Sequence, residues 1–256
     1  LSKQHIWPDW LKKVIPRDED KNTQLLYGYE YFPEDRIAIF PDIKIRQGYI
    51  GTRKIRNVCI KCNNGWMSQI EERVRPKITS MIHGDMSTLN ASGQKDIASW
   101  IIMTSIMAEY TDIKAQAISE EYRETLFKTS NPPDGGWLIW LGKYNSSEWK
   151  FRYRHHGGAV ATHQEFEELK QKGKIPPNMQ STCFVFGQLF INFISAPKFY
   201  IDKYYQDYLE SELIEYLICI SPNSSLAGTS KQPVNWPPRE IINDKLAMKL
   251  ADRIFL

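Results

Sequence analysis

An α+β fold is expected for these 256 residues, because helix-patterned and strand-patterned stretches are segregated along the chain rather than alternating. Two observations carry this. Gln94 to Tyr110 is apolar almost all round, with Ile97, Trp100, Ile101, Ile102, Met103, Ile106 and Met107, which predicts a helix buried in a core or against a partner. After Asn131-Pro132-Pro133-Asp134-Gly135-Gly136 the apolar period changes from helical to alternating, as in the strands of an antiparallel sheet.

In chain order, Pro8 suits an early helical turn among Ile6, Trp7, Trp10 and Leu11. Residues 17 to 36 are charged and turn-like. Arg36 to Ile60 holds strand-like runs (IAIF, IKI, YIG and KIRNVCI) broken at Pro41 and Gly48. A helix capped by Asn63 or Asn64 then carries Trp66, Met67, Ile70 and Val74, with Pro76 as its end or a kink. A second, amphipathic helix covers about Ile118 to Phe127. Beyond the break, strands are expected at Trp137 to Leu141, Trp149 to Arg154, Cys183 to Ile194 and Tyr216 to Ile220. A helix is expected at Glu165 to Lys172 and a last one at Ile241 to Ile254. No repeat or low-complexity tract interrupts this order.

Composition is that of an ordinary globular chain, with 42% hydrophobic and 25% charged residues. The 33 basic residues nearly match the 30 acidic ones, for a net charge of +3. A uniformly basic nucleic-acid coat is thereby excluded, though a local basic patch is not. No run approaches the roughly 18 apolar residues of a membrane span, and no charged-then-apolar leader opens the chain, so a cytoplasmic location is expected. Of four cysteines, Cys183 and Cys219 sit in apolar, strand-like runs and are expected in the core. Cys59 and Cys62 form a C-x-x-C pair, which in a reducing compartment points to metal or redox chemistry.

Three pieces of the first segment carry chemistry: Gln4-His5-Ile6 with Pro8 behind it, Asn57, and Cys59-Ile60-Lys61-Cys62-Asn63-Asn64-Gly65-Trp66. In this order they resemble the HNH (ββα-metal) nuclease family. The phrases S-x-x-H-I-W-P-x-W-L and C-x-x-C-N-N-G-W-M-S-x-I-E look like a bacterial subfamily of it. The resemblance covers about the first 78 residues. It implies an HNH module over 1–78 and a larger α+β domain over 79–256 that selects substrate or partner, the apolar helix around Trp100 suggesting a protein partner or self-association.

The resemblance also implies roles. Hydrolysis of a phosphodiester needs an activated water and a divalent cation beside the phosphate. Histidine suits the base because its unperturbed pKa lies near 6.5. By position, His5 is the base, Asn63 a ligand of a catalytic Mg2+ or Mn2+, and Asn57 the residue that orients the His-bearing loop. The family usually places Asp or Glu before the His, where this chain has Gln4, an uncharged and weaker ligand for a hard cation. A native variant that cuts, a site that only binds, and a substitution made to stop cleavage all remain open. Cys59 and Cys62 supply half of a tetrahedral zinc site. Family members complete it with a C-x-x-C upstream of the His, and the abrupt opening at Leu1 makes such upstream residues an expectation.

Arg53, Lys54, Arg56, Arg73 and Arg75 surround the motif and suit contacts to phosphates, DNA more than RNA, or equally a solvated charged face. Trp66 is expected to pack beside Met67. His155-His156-Gly157-Gly158 reads as a surface hairpin turn. Arg152 and Arg154 alternate with Phe151 and Tyr153, giving a strand with one basic and one apolar face. The expected activity is a metal-dependent endonuclease acting on DNA, with a role in defence against foreign DNA. The alternative is an HNH-derived module that binds nucleic acid or assembles a complex without cutting.

Overall fold

The computed structural model describes the chain except residues 1, 16, 18–20, 32–36, 48–49, 112, 146–149, 162–163, 166–167, 169–170, 172–176, 210, 221–231 and 252–256, and it gives backbone alone at some others, including 21–47. It mixes helices with antiparallel sheets. Among the described residues no helix is long and apolar enough to cross a membrane.

The centre is a sheet in the order β10-β6-β9-β8-β7, formed by β6 (Trp137–Tyr144), β7 (Phe151–Gly158), β8 (Met179–Phe186), β9 (Leu189–Ser195) and β10 (Ile218–Ile220). Its ladders are antiparallel, and the short β12 (Ile241–Ile242) adds a parallel pairing on β6. Strand alternation sends successive side chains to opposite faces. Trp137, Ile139, Leu141, Phe184, Phe186, Ile191 and Phe193 line one face. Leu138, Trp140, Cys183, Val185, Phe190 and Ile194 line the other. The continuous apolar run of the sequence is therefore a sheet buried on both sides. The run expected as one strand from Cys183 to Ile194 is two, because the chain reverses at Gly187, whose φ of 56° is left-handed.

On the second face lie α6 (Lys198–Leu209) and α7 (Asp244–Ala251), where Ile201, Tyr205, Ala247 and Leu250 complete the layer. Ile241 and Ile242, expected as the start of the last helix, are β12; its expected end at Ile254 falls outside the described residues. Trp149 is outside them too, as is most of the helix expected at Glu165 to Lys172.

On the first face lie α3 (Ser68–His83) and α4 (Ala91–Glu109). Asn90 caps α4 by accepting from the Gly93 N–H at 2.8 Å. Trp100, Ile101 and Ile102 are fully buried, so the all-apolar surface of α4 is spent on the chain's own core. The shorter α5 (Glu120–Thr129) packs by Leu126. Pro76 neither ends nor breaks α3, which runs on to His83 and closes at Gly84 in the left-handed conformation. The boundary expected at residue 78 thus falls inside a helix. A small ladder of β5 (Ser87–Leu89) with β11 (Val234–Trp236) closes this side.

The N-terminal segment belongs to the same core. β1 (Ser2–His5) pairs antiparallel with β4 (Lys54–Val58), and α1 (Leu11–Val14) follows the turn after β1. Trp7 sits among Phe151, Tyr153, Phe184 and Phe186, its ring 5.4, 5.2, 5.6 and 6.1 Å from theirs. Edge-on packing of this kind adds about 0.5–1.5 kcal/mol per pair beyond burial. Trp10 lies 6.3 Å from Trp100 of α4. The buried apolar residues described at 6–15 and 58–78 therefore share one continuous hydrophobic cluster with the central sheet. Between them, β2 (Lys21–Tyr31) and β3 (Ile37–Gln47) form a long two-stranded ladder from Lys21 opposite Gln47 to Tyr31 opposite Ile37. The charged stretch expected as turns is mostly strand, and Pro41 is accommodated within the second one because a two-stranded ribbon is all edge.

Candidate active site

His5 ends β1 directly opposite Lys54 of β4, and the Ile6 N–H then donates to the Arg53 carbonyl at 3.0 Å. The next residues turn sharply. Ile6, Trp7, Pro8, Trp10 and Leu11 go inward, whereas Asp9 stays exposed. This fixes the Asp9 carboxylate over the end of β1, with Oδ1 3.3 Å from His5 Nε2. Lys12, one turn on, donates to the same carboxylate. The His5 side chain is 18% exposed, and its buried Nδ1 has no hydrogen-bond partner among the described residues.

The charges around the ring act in opposite senses. Burial depresses the His5 pKa below 6.5, the ammonium groups of Lys12 and Lys54 push it the same way, and Asp9 opposes them. The Asp9 carboxyl is held below its ordinary value, chiefly by the hydrogen bond from Lys12. Both shifts favour an unprotonated imidazole beside an ionised carboxylate.

The helical arm of the site begins earlier than the sequence suggests. Cys59, not Asn63 or Asn64, is the N-cap, its sulfur accepting from the Cys62 N–H at 2.9 Å. A single turn, α2 (Ile60–Cys62), leads into a wide π-type turn at Asn63–Met67 and then α3. Gly65 departs from helical geometry there, at φ −101° and ψ −113°. Wide turns of this kind often mark functional sites. Cys59 and Cys62 are paired as a disulfide with Cα atoms 5.2 Å apart. Among the described residues no group of three or more His, Cys, Asp or Glu side chains is gathered as a metal cluster.

The other expected residues divide. Gln4 is on β1 opposite Ile55 and is buried at 8% exposure. Asn63 is half-buried at the head of the wide turn. Asn57 is exposed on β4, three residues from the Lys54 that faces His5, roughly 10 Å along the strand. Arg53 is half-buried and Lys54 and Arg56 are exposed on the strand side. Arg73 is tied to Asp96 of α4 at 3.0 Å, and Arg75 lies 6.0 Å above the ring of Trp10. Trp66 packs edge-on against Phe127 of α5 at 6.1 Å.

Two residues escaped the sequence reading. Asp9 was an unassigned position inside S-x-x-H-I-W-P-x-W-L, and only the turn brings it back to His5. Glu71 closes the phrase C-x-x-C-N-N-G-W-M-S-x-I-E, and that was its one signal. Burial raises the Glu71 pKa to about 7, with the negative charges of Asp9 and Glu72 adding to the effect. The first turn of α3 therefore brings a second carboxyl into the field of Asp9.

The pair His155-His156 lies within β7, not in a hairpin turn. His155 Nδ1 meets Thr182 Oγ1 at 2.8 Å, and its Nε2 meets the Ala115 carbonyl at 2.9 Å. A Cβ on Gly157 would run into the Ala115 backbone, which is why glycine follows His156. His156 accepts from Arg154 Nε at 3.0 Å, and burial lowers its pKa to about 4. Nearby, Glu109 is fully buried in α4, accepting from the N–H groups of Ala117 and Ile118 at 2.9 and 3.1 Å and pairing with Arg123. These contacts tie Ala115 to β7 and Ala117 and Ile118 to α4.

No family model, no curated protein and no solved structure matches this chain.

Proposed function

We propose that the chain is a metal-dependent endonuclease of the HNH type, hydrolysing phosphodiester bonds in nucleic acid, DNA before RNA. The observation that carries the reading is His5 itself: a part-buried imidazole beside the Asp9 carboxylate, at the end of a strand paired with β4 and followed by the helical arm that bears Asn63.

A hard divalent ion, Mg2+ or Mn2+, suits the oxygen donors present. Gln4 and Asn63 offer amide oxygens to hold it. Glu71, whose pKa is raised chiefly by burial with Asp9 and Glu72 adding like charge, offers a carboxyl whose ionised form a cation would favour. Bound there, the ion would supply neutralisation of charge on the phosphate and leaving oxygen. His5 accepts the proton of the attacking water, and the Lys54, Arg53 and Arg56 side chains contact flanking phosphates without reading sequence. If reduced, Cys59 and Cys62 would supply two of the four ligands of a tetrahedral zinc site. A cytoplasmic role in defence against foreign DNA is the setting that the motif resemblance suggests.

The test is cleavage of single- and double-stranded DNA and RNA with Mg2+ or Mn2+, comparing the chain with His5→Ala and Gln4→Glu. Metal-dependent cutting that His5→Ala abolishes and Gln4→Glu strengthens is expected. Absence of cutting by every His5-containing protein overturns the reading. One observation favours the second reading, a nucleic-acid-binding module that does not cut: Gln4 is uncharged and buried. That reading requires salt-dependent binding in EDTA with no cleavage in metal.

A further inference from the structure

We propose that His155 is held as an imidazolium inside the core and in that state latches the strap Ala115–Ile118 onto β7, so that loss of its proton as pH rises loosens the strap.

The charge follows from where the hydrogens along one chain of contacts must lie. The Ala115 carbonyl only accepts, so the His155 Nε2 that meets it at 2.9 Å carries a hydrogen. On the other side of the ring, Nδ1 lies 2.8 Å from Thr182 Oγ1. Thr182 has a single hydroxyl hydrogen and donates it to Gln180 Oε1. The Gln180 amide is oriented by its Nε2, which donates to the Phe193 carbonyl at 3.5 Å and to Ser195 Oγ at 3.3 Å. Turned over, it would set Oε1 against a carbonyl that has no hydrogen to give. With the Thr182 hydrogen spent on Gln180, Nδ1 must donate, and an imidazole with hydrogens on both nitrogens is charged.

A buried charge is tolerated only where it is paired and hydrogen-bonded. The His155 side chain is 4% exposed, and the fully buried Glu109 of α4 sets Oε1 3.9 Å from its Nε2. From α5, Arg123 pairs with the other oxygen of Glu109 and lies 5.4 Å above the Tyr110 ring. Within β7, the Tyr153 ring stacks 6.3 Å from that of His155. His156 is held down at about 4 by burial, with the positive charges of Arg154 and His155 adding to it.

One carboxylate oxygen serves both ring and strap. Glu109 Oε1 also accepts from the N–H groups of Ala117 and Ile118 at 2.9 and 3.1 Å, and Arg123 Nε donates to the Ile118 carbonyl at 3.1 Å. Gly157 leaves room for the Ala115 backbone against β7. Removing the ring's charge turns the bond to Ala115 from charge-assisted to neutral, about half as strong. It also takes one of two cations from Glu109. The strap leads into Ser119, the N-cap of α5, and Phe127 of α5 packs on Trp66 of the wide turn. The latch thus steadies the helix on which that turn rests.

The experiment reads ring charge and strap opening in the full chain. Long-range 1H–15N correlation, assigned with His155→Gln, is recorded at pH 7.5, where an ordinary histidine is mostly neutral. Both nitrogens of His155 should carry hydrogens in wild type, and Thr182→Val, which takes away the Nδ1 acceptor, should leave one. Amide exchange at Ala117 and Ile118, corrected for intrinsic rate, should show protection roughly 3- to 30-fold lower in Thr182→Val, the gap between charge-assisted and neutral hydrogen bonds. Protection at Phe193 in β9 should be unchanged. A wild-type ring with one hydrogen at pH 7.5 overturns the proposal, as does a ring still doubly protonated in Thr182→Val. A ring that loses its charge while Ala117 and Ile118 keep their protection overturns the latch.

Discussion

Replacing Glu71 by glutamine removes a carboxyl that folding makes harder to ionise. Its pKa rises from 4.5 to about 7 because α3 screens it from water and Asp9 and Glu72 add like charge. The linkage sign follows. Below pH 4.5 the carboxyl is protonated in both states, and folding is not penalised. Between 4.5 and 7 the unfolded chain ionises first, so stability is lost as pH rises, and above 7 the penalty is constant. At about 1.4 kcal/mol per unit, the full penalty is roughly 3 kcal/mol. Glu71→Gln should therefore match wild type near pH 4 and be more stable by up to about 3 kcal/mol at pH 8, as read by urea midpoints with unchanged slope. Wild-type pH dependence alone cannot test this, because His156 titrates in the opposite sense across an overlapping range. The difference between the two proteins at each pH can. Equal midpoints at pH 4 and 8 would refute the reasoning.

Three further outcomes follow from the geometry. His156→Gln should abolish an acid-side loss: the folded pKa of about 4 lies below the ordinary 6.5, so wild-type stability falls as pH drops from 6.5 toward 4, by roughly 3 kcal/mol, and a variant that shows the same fall disproves it. Trp7→Ala should cost about 3–5 kcal/mol and unfold the chain in one transition, since Trp7 joins the first residues to β7 and β8; two separated transitions would show a free N-terminal module. Arg123→Ala leaves the fully buried Glu109 carboxylate without its arginine partner, a loss of about 3–5 kcal/mol, whereas replacing Lys128 of the exposed Lys128–Glu124 pair should leave the urea midpoint essentially unchanged.

How far the fold could be read depended on whether local pattern or tertiary contact decided each element. The helix at Ala91–Glu109 and the strands at Trp137–Tyr144 and Phe151–Gly158 carry their periods openly. Residues 21–31 do not, because a two-stranded ribbon needs no alternating apolar face and its charges look like a loop. Pro76 misled for another reason. Proline breaks a helix when it removes a needed N–H, yet α3 continues through it, held by Val74, Ile78 and Met81 in the core. Packing of an amphipathic face outweighs one missing hydrogen bond.

At the candidate site, His5 and Asn63 stood out by type and spacing, whereas Asp9, beside His5, and Glu71, in the field of Asp9, did not. Asp9 and Glu71 lie 62 positions apart in the chain, and no local period links them. The coupling exists because Trp7 and Trp10 fasten the turn after β1 onto the layer formed by α3 and α4. This bears on Gln4 directly. A missing negative charge beside a histidine matters less when the fold delivers two carboxyls to the same neighbourhood. Gln4→Glu would then add a third acidic group at a buried position on β1. In metal-free protein it should be destabilising at pH 8 and neutral near pH 4, and saturating Mn2+ should recover the loss if the ion binds among these groups. Destabilisation that Mn2+ does not relieve would place the cation elsewhere and remove Gln4 from its ligands.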